Sequence, residues 1–419
     1  MNLLAPTVLL VMAALPAAAQ TLTVQSDRNS FGSTDVQIAA ARRFGEARGV
    51  NVRYVALPPL GYGDAVRAAA AGGGLPDVLM IDGPTVAALA YEGLLRPLDG
   101  LVDDALLSDM TTAMTAQGTY GADGKLYCLG PFDAGLGLLG NRRYLDEAGV
   151  RIATFEEPWT RDEFEDALAA LAALDHVDAP LDLKLNYGVG EWLTYAFSPI
   201  LQSMGADLID RDTWRSGGTL DSDEAVAALA MVQDWQSRGW IVPAAFGDGA
   251  FHMQQTAALS WIANWGVSPS EARLGEDLVI LPMPDFGGGA VTASGSWCWT
   301  ITRDAEDPAL AADLVEALLS LDAVVATYEA GFYPPGRASA LERTPRYGED
   351  GDLVLYQRQL DERSVERPVH PAYPVISVSF AQAFDAALHG EDPRVALEEA
   401  ARRIDAYIDE NDGFPPFGG

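Results

Sequence analysis

Three carboxylates and a set of indoles are the residues of this 419-residue chain best suited to hold or transform a solute. Asp82 closes the apolar run Val78 to Ile81 and is followed directly by Gly83-Pro84, while Asp27 ends the run LTVQS in the same way. Asp133 lies in the glycine-rich stretch KLYCLGPFDAGLGLLGN, residues 125–141. Trp192, Trp265, Trp297, Trp299, Tyr333, Tyr373 and Phe380 recur at expected strand and helix ends. An aromatic face packs on the C–H face of a pyranose while carboxylates and arginines hold its hydroxyls. A place in the core is the more ordinary role for any single Trp. Asp82 also suits a cap for the helix that Pro84 would start. Two carboxyls such as Asp82 and Asp133 would equally serve glycoside hydrolysis. With 60 acidic residues in the chain, however, such a pair carries little information.

Other chemistries find no support. His176, His252, His370 and His389 are scattered without metal-ligand spacing. There is no serine nucleophile elbow, no phosphate-cradling GxxxxGK and no HExxH. The glycine clusters 72–74 and 287–289 sit in loop contexts that fit no dinucleotide fingerprint. No cofactor, metal or catalysis is expected.

The elements that must position the carboxylates alternate. A strand at Leu22 to Gln25 precedes a helix over 35–48, stopped by Gly49; VNVRYVAL is a second strand and 64–71 a second helix. The segment LPDVLMIDGPTVAALAYEGLLRPLD supplies a third strand and helix. Such β-α alternation implies a parallel sheet covered on both faces, with ligands outside the carboxyl ends of its strands, where Asp27 and Asp82 fall. The stretch 125–141 reads as a strand crossing into a second domain. That domain opens with a helix over 160–174, where Thr160 and Glu163 form a capping box. It continues with strand LNYGV, helices near Glu191 and over 222–237, and strand LVILPMP. AVTASGSWCWTIT (290–302) crosses back, placing Trp297 beside Ser294-Gly295-Ser296, and a helix over 308–321 rejoins the first domain. YPPGRASAL forms a third passage, and a helix over 393–408 ends the second domain. Two α/β lobes joined by several strands form a hinge that permits closure around a ligand.

Composition narrows the partners. The formal charge of −33 opposes nucleic acid, whose phosphates need a basic surface, and disfavours anionic membranes. Residues 1–19 read as an export signal cut after Ala19, with no nearby Cys for a lipid anchor. A soluble, exported product is expected. Cys128 and Cys298 fit one disulfide or two separately buried thiols.

Seven stretches occur in an order that resembles one family. They are LPDVLMIDGPTVAALAYEGLLRPLD, GKLYCLGPFDAGLGLLGNRRYLDEAGV, PWTRDEFEDALAAL, FHMQQTAALSWIANW, GSWCWTIT, FYPPGRASAL and the segment from RPVHPAYP to EEAARRID. The chain resembles the extracellular sugar-type solute-binding proteins of ATP-binding-cassette importers, in the class related to maltodextrin-binding proteins. The resemblance implies the type II periplasmic-binding-protein fold, two doubly wound α/β lobes on a three-segment hinge. It implies lobes of 20–130 plus 298–335 and of 131–297 plus 336–419. It carries substrate-binding roles onto Asp27, Asp82, Asp133, Trp265, Ser296, Trp297 and Arg367, and onto Trp192 and Arg337 by looser correspondence. It brings both cysteines onto hinge strands, where a Cys128–Cys298 disulfide becomes the favoured pairing. It departs from the family at Gly140-Asn141-Arg142, at Gln255-Thr256 and in SWIAN, which leaves the sugar itself open. What it implies is a periplasmic, non-catalytic, monomeric protein without a lipid anchor, which binds a mono- or oligosaccharide and presents it to membrane permease subunits. The same fold binding a polyol, a glycoside osmolyte or glycerol phosphate is the first alternative. A secreted carbohydrate-active enzyme is the second, and a sensory partner of a membrane receptor the third.

Overall fold

The computed structural model describes residues 20–28, 32–58 and 61–415. The expected export signal lies outside them. Among the described residues no helix is long and apolar enough to cross a membrane.

Strands β1 (Thr21–Asp27), β2 (Asn51–Leu57), β3 (Val78–Asp82), β4 (Leu95–Arg96) and β12 (Trp297–Thr302) make one sheet in the order β2-β1-β3-β12-β4. β1, β2 and β3 are parallel, as their intervening helices require. β12 enters between β3 and β4 antiparallel to both, so the sheet is mixed where a parallel one was expected. Its alternating side chains fit either direction, and only the third dimension selects one. The short strands β5 (Thr119–Tyr120) and β6 (Lys125–Leu126) pair beside this sheet. A second sheet, ordered β10-β7-β9-β8, joins β7 (Leu136–Asn141), β8 (Leu181–Asp182), β9 (Leu259–Ala263) and β10 (Leu278–Leu281). The run LNYGV is not a strand. Lys184 (φ 55°) and Gly188 (φ 85°) break the extended path, and Leu185–Tyr187 form a 3-10 turn.

Each sheet has its own core. Helices Ser33–Arg48, Pro308–Leu318 and Leu321–Gly331 cover the first sheet, with Ala40, Phe44, Val315 and Ala323 in one apolar cluster. The expected single helix over 308–321 ends at Leu318 and is followed by a separate one. The second core packs Trp261 of β9 against Phe164, Phe197, Trp235 and Phe384 from the helices Arg161–Ala172, Glu191–Ser203, Asp223–Ser237 and Tyr373–Leu388. Thr160 and Glu163 form the capping box.

Three passages run between the lobes side by side. Leu129 bridges to Trp299, and Phe132 to Pro335. The Asp133 N–H donates to the Pro334 carbonyl at 2.9 Å, and the Gly336 N–H to that of Pro131 at 3.0 Å. Gly336 is required here: a Cβ would sit 2.4 Å from the Gly130 oxygen. β11 (Thr292–Ser294) and β13 (Ser364–Glu366) pair in parallel alongside. The buried Cys128 and Cys298 are joined by a disulfide with Cα atoms 5.5 Å apart, which ties the outgoing passage to β12. Replacing both by serine is expected to lower unfolding free energy by about 2–5 kcal/mol. Urea denaturation measures this, and a variant as stable as the parent would show that the bond contributes nothing.

Candidate functional site

Asp82 ends β3 in register with Trp297 of β12. Its two carboxylate oxygens accept a fork of bonds from Arg367, at 3.0 and 3.1 Å. Arg367 follows β13 and is buried. Its Nη1 also donates to Glu191 Oε1 at 2.5 Å. Glu191 opens the helix Glu191–Ser203, where a negative charge is favoured by the aligned peptide dipoles. The hydroxyls of Tyr373 and Ser377 donate to the same carboxylate. Burial pushes the Glu191 carboxyl up, against the opposing pull of Arg367.

An aromatic wall continues from the guanidinium. Arg367 lies over the Tyr195 ring, 5.0 Å from its centroid. Tyr195 stacks on Trp265 at 6.1 Å, and Trp192 meets Trp265 edge-on at 6.0 Å. The Trp192 indole N–H donates to the Leu183 carbonyl. One continuous path therefore leads from Asp82 in the first lobe to Trp265 in the second.

Asp133, on the first passage, accepts the N–H groups of Ala134 at 2.7 Å and Gly295 at 3.1 Å. Burial nevertheless pushes its carboxyl up to about 6. The backbone of Ser296 is held at both ends by Gln117, with its N–H donating at 2.6 Å and its carbonyl accepting at 2.9 Å. Gly83 makes room for that amide, since a Cβ would sit 2.2 Å from Gln117 Cδ. The Ser296 hydroxyl is buried and has no hydrogen-bond partner among the described residues. Asp133, Gly295, Glu366, Arg367, Gln117 and Gly83 bound a cavity of about 20 Å³. That holds roughly one water molecule. A cavity of that size is too small for a pyranose ring.

The remaining sequence candidates are placed less centrally. Asp27 is buried at the end of β1, among Tyr54, Tyr62 and Tyr333. Burial, with the Asp82 carboxylate nearby, pushes its carboxyl up to about 7. Trp297 meets Tyr62 edge-on at 5.5 Å and is half-buried, whereas Trp299 is core. Arg337 stands apart from the cluster. It donates to Asp109 at 2.7 Å and to the Leu319 carbonyl at 2.9 Å, bracing the third passage. Glu191, Tyr195, Gln117 and Glu366 were not legible as site residues. Glu191 reads only as a first-turn acid, and the others carry no local signal. No group of three or more His, Cys, Asp or Glu among the described residues is arranged to hold a metal ion.

The model for bacterial extracellular solute-binding proteins matches residues 39–353, well over half of the chain. The chain belongs to that family. Solved structures share the fold of this solute-binding protein. The GacH receptor of Streptomyces glaucescens, studied unliganded and with acarbose, is 24% identical with a TM-score of 0.79, over 94% of this chain and 98% of that one. Maltose-bound T. maritima MalE3 is 19% identical with a TM-score of 0.80, over 93% and 100%. A Thermotoga lettingae ABC-transporter solute-binding protein with bound α-D-tagatose is 21% identical with a TM-score of 0.79, over 93% and 100%.

The buried carboxyls set a pH dependence. Folded Asp27 and Asp133 keep their protons to about pH 7 and 6, against an ordinary value of 3.8. Unfolding therefore releases protons between these limits, and stability contributed by the protonated groups falls as pH rises from about 4 to 7. Asp27→Asn is expected to flatten this fall. Urea denaturation at pH 4, 6 and 8 measures it, and parallel curves for parent and variant would contradict the assignment.

Proposed function

We propose that this protein is the substrate-binding component of an ABC sugar importer, closing two lobes on a mono- or oligosaccharide and returning it unchanged. The carrying observation is the pair of unlike walls that meet across the crevice. Asp82 and Asp133 offer acceptors for hydroxyls, Arg367 offers donors, and Trp265 with Tyr195 offers a flat apolar face. Asp27, Ser296, Trp297 and Trp192 line or support this crevice, and Arg337 supports the hinge. Acarbose, maltose and tagatose bound to relatives of the same fold agree in ligand class.

Closure couples binding to recognition, because a ligand touching both walls favours the shut form over the open one. The shut surface would then engage the importer's membrane subunits. We draw the lobes at 20–130 plus 298–335 and at 131–297 plus 336–419. The chain acts as a monomer in the periplasm, released by a cut after Ala19 and without a lipid anchor. Glycerol phosphate is disfavoured: the carboxylates of Asp82 and Glu191 outnumber the Arg367 guanidinium, and an anion would meet excess negative charge. Nothing in the pairing of Asp82 with Arg367 favours hydrolysis over binding.

Thermal-shift screening of the purified protein is expected to give a rise in Tm with saccharides such as maltose and none with inorganic phosphate or glycerol 3-phosphate. A rise with the phosphates alone would overturn the reading. Trp265→Ala is expected to weaken saccharide binding by about 1–3 kcal/mol in calorimetric titration. Unchanged affinity would remove Trp265 from the wall.

A further inference from the structure

A second charged cluster lies behind the aromatic wall, and the binding scheme above makes no use of it. Lys184 is only 2% exposed, with its ammonium 2.8 Å from Asp182 Oδ2 and 3.2 Å from Asp248 Oδ1. It also donates to the Asp248 carbonyl at 3.1 Å, while its backbone N–H donates to Asp182 Oδ1 at 2.9 Å. Its backbone is left-handed at φ 55°, a conformation unfavourable for a non-glycine residue. Burying an ammonium is unfavourable unless its partners are well placed. Two unfavourable features at one residue imply that the surroundings hold it there.

What it joins are two loops. Lys184 begins the turn before the helix Glu191–Ser203, and Asp248 lies in the turn Ala244–Gly249. Val189, Phe246 and Met253 on or beside these loops are 53%, 46% and 62% exposed, so those side chains anchor nothing. The ion pair does. Between the loops stands Tyr187, whose hydroxyl faces both the Asp248 carboxylate and the Trp265 indole. Its ring meets Trp192 edge-on at 5.1 Å. The carbonyl that receives the Trp192 indole N–H belongs to Leu183, next to Lys184. Behind the wall is a cavity of about 10 Å³ bounded by Lys184, Tyr187, Asp248, His252, Ser260 and Gly266. Polar contacts on this side join the ring contacts with Tyr195 and Trp192 in setting the plane of Trp265.

We propose that Lys184 is a positioning residue for ligand recognition: by holding Asp248 it fixes the Tyr187 hydroxyl, and through it the plane of the Trp265 ring. The inference rests on reading Trp265 as part of the sugar-binding wall. It assigns Lys184, Asp248 and Tyr187 to the platform without placing any of them against the ligand.

Asp248→Asn and Tyr187→Phe each keep side-chain shape while breaking the path at a different link, so one can substitute for the other if either folds poorly. The first readout needs no ligand. In ¹⁵N-labelled protein, with the Trp265 indole resonance assigned by Trp265→Phe, both variants are expected to shift that resonance. They should also speed its hydrogen exchange about tenfold, leaving the buried Trp299 indole unchanged. The second readout is calorimetric titration with maltotriose. Asp248→Asn is expected to weaken binding about five- to tenfold in the parent and to have no further effect in a Trp265→Ala background, because both act through one ring. A Trp265 indole that neither variant moves, or an equal loss with and without Trp265, overturns the proposal. If the parent binds neither maltotriose nor any other saccharide, the sugar reading fails, and the indole readout still decides the positioning.

Discussion

The forked contact between Asp82 and Arg367 is the interaction around which the two lobes are arranged. It joins the end of β3 in the first sheet to the segment after β13, the strand paired with β11. A guanidinium suits this place because it stays charged when buried and presents paired donors to a carboxylate. Its second carboxylate partner, Glu191, keeps part of the charge compensated when the first is withdrawn. Breaking one side of a buried pair is unfavourable when nothing replaces the lost partner. A polyhydroxy ligand that supplies hydroxyls to both Asp82 and Arg367 would provide that replacement, which links entry of the ligand to rearrangement of the lobes.

The hinge passages make such rearrangement local. Their backbone groups are paired with each other, as at Asp133 to Pro334 and Gly336 to Pro131, so bending need not expose unpaired polar groups. Gly336 permits the close approach, and the disulfide between Cys128 and Cys298 ties the outgoing passage to β12 of the first sheet. Each lobe retains a separate apolar core, so the passages carry few of the apolar contacts that hold either lobe together.

Electrostatics at the crevice follow from burial more than from the chain's overall acidity. Asp27, Asp133 and Glu191 are all pushed toward the protonated form by desolvation, although the last faces a guanidinium. A carboxyl poised in this way can donate as well as accept, which suits hydroxyl groups that do both. The surface acids contribute solubility and repel polyanions.

Local sequence by itself determined the strand that stops at Asp82, the capping box of Thr160 and Glu163, and the alternation that implies sheet-and-helix lobes, because these depend on neighbours a few residues apart. The order of family motifs singled out Asp82, Asp133, Trp265 and Arg367 as candidates, of which Asp82 and Arg367 are in direct contact. The tertiary structure alone decided that β12 runs antiparallel between β3 and β4, that Arg337 braces Asp109 instead of facing the crevice, and that Glu191 and Tyr195 complete the site. The reason is physical. An acid in the first turn of a helix looks the same in sequence whether it faces water or a guanidinium 176 positions away, and only packing brings the two together.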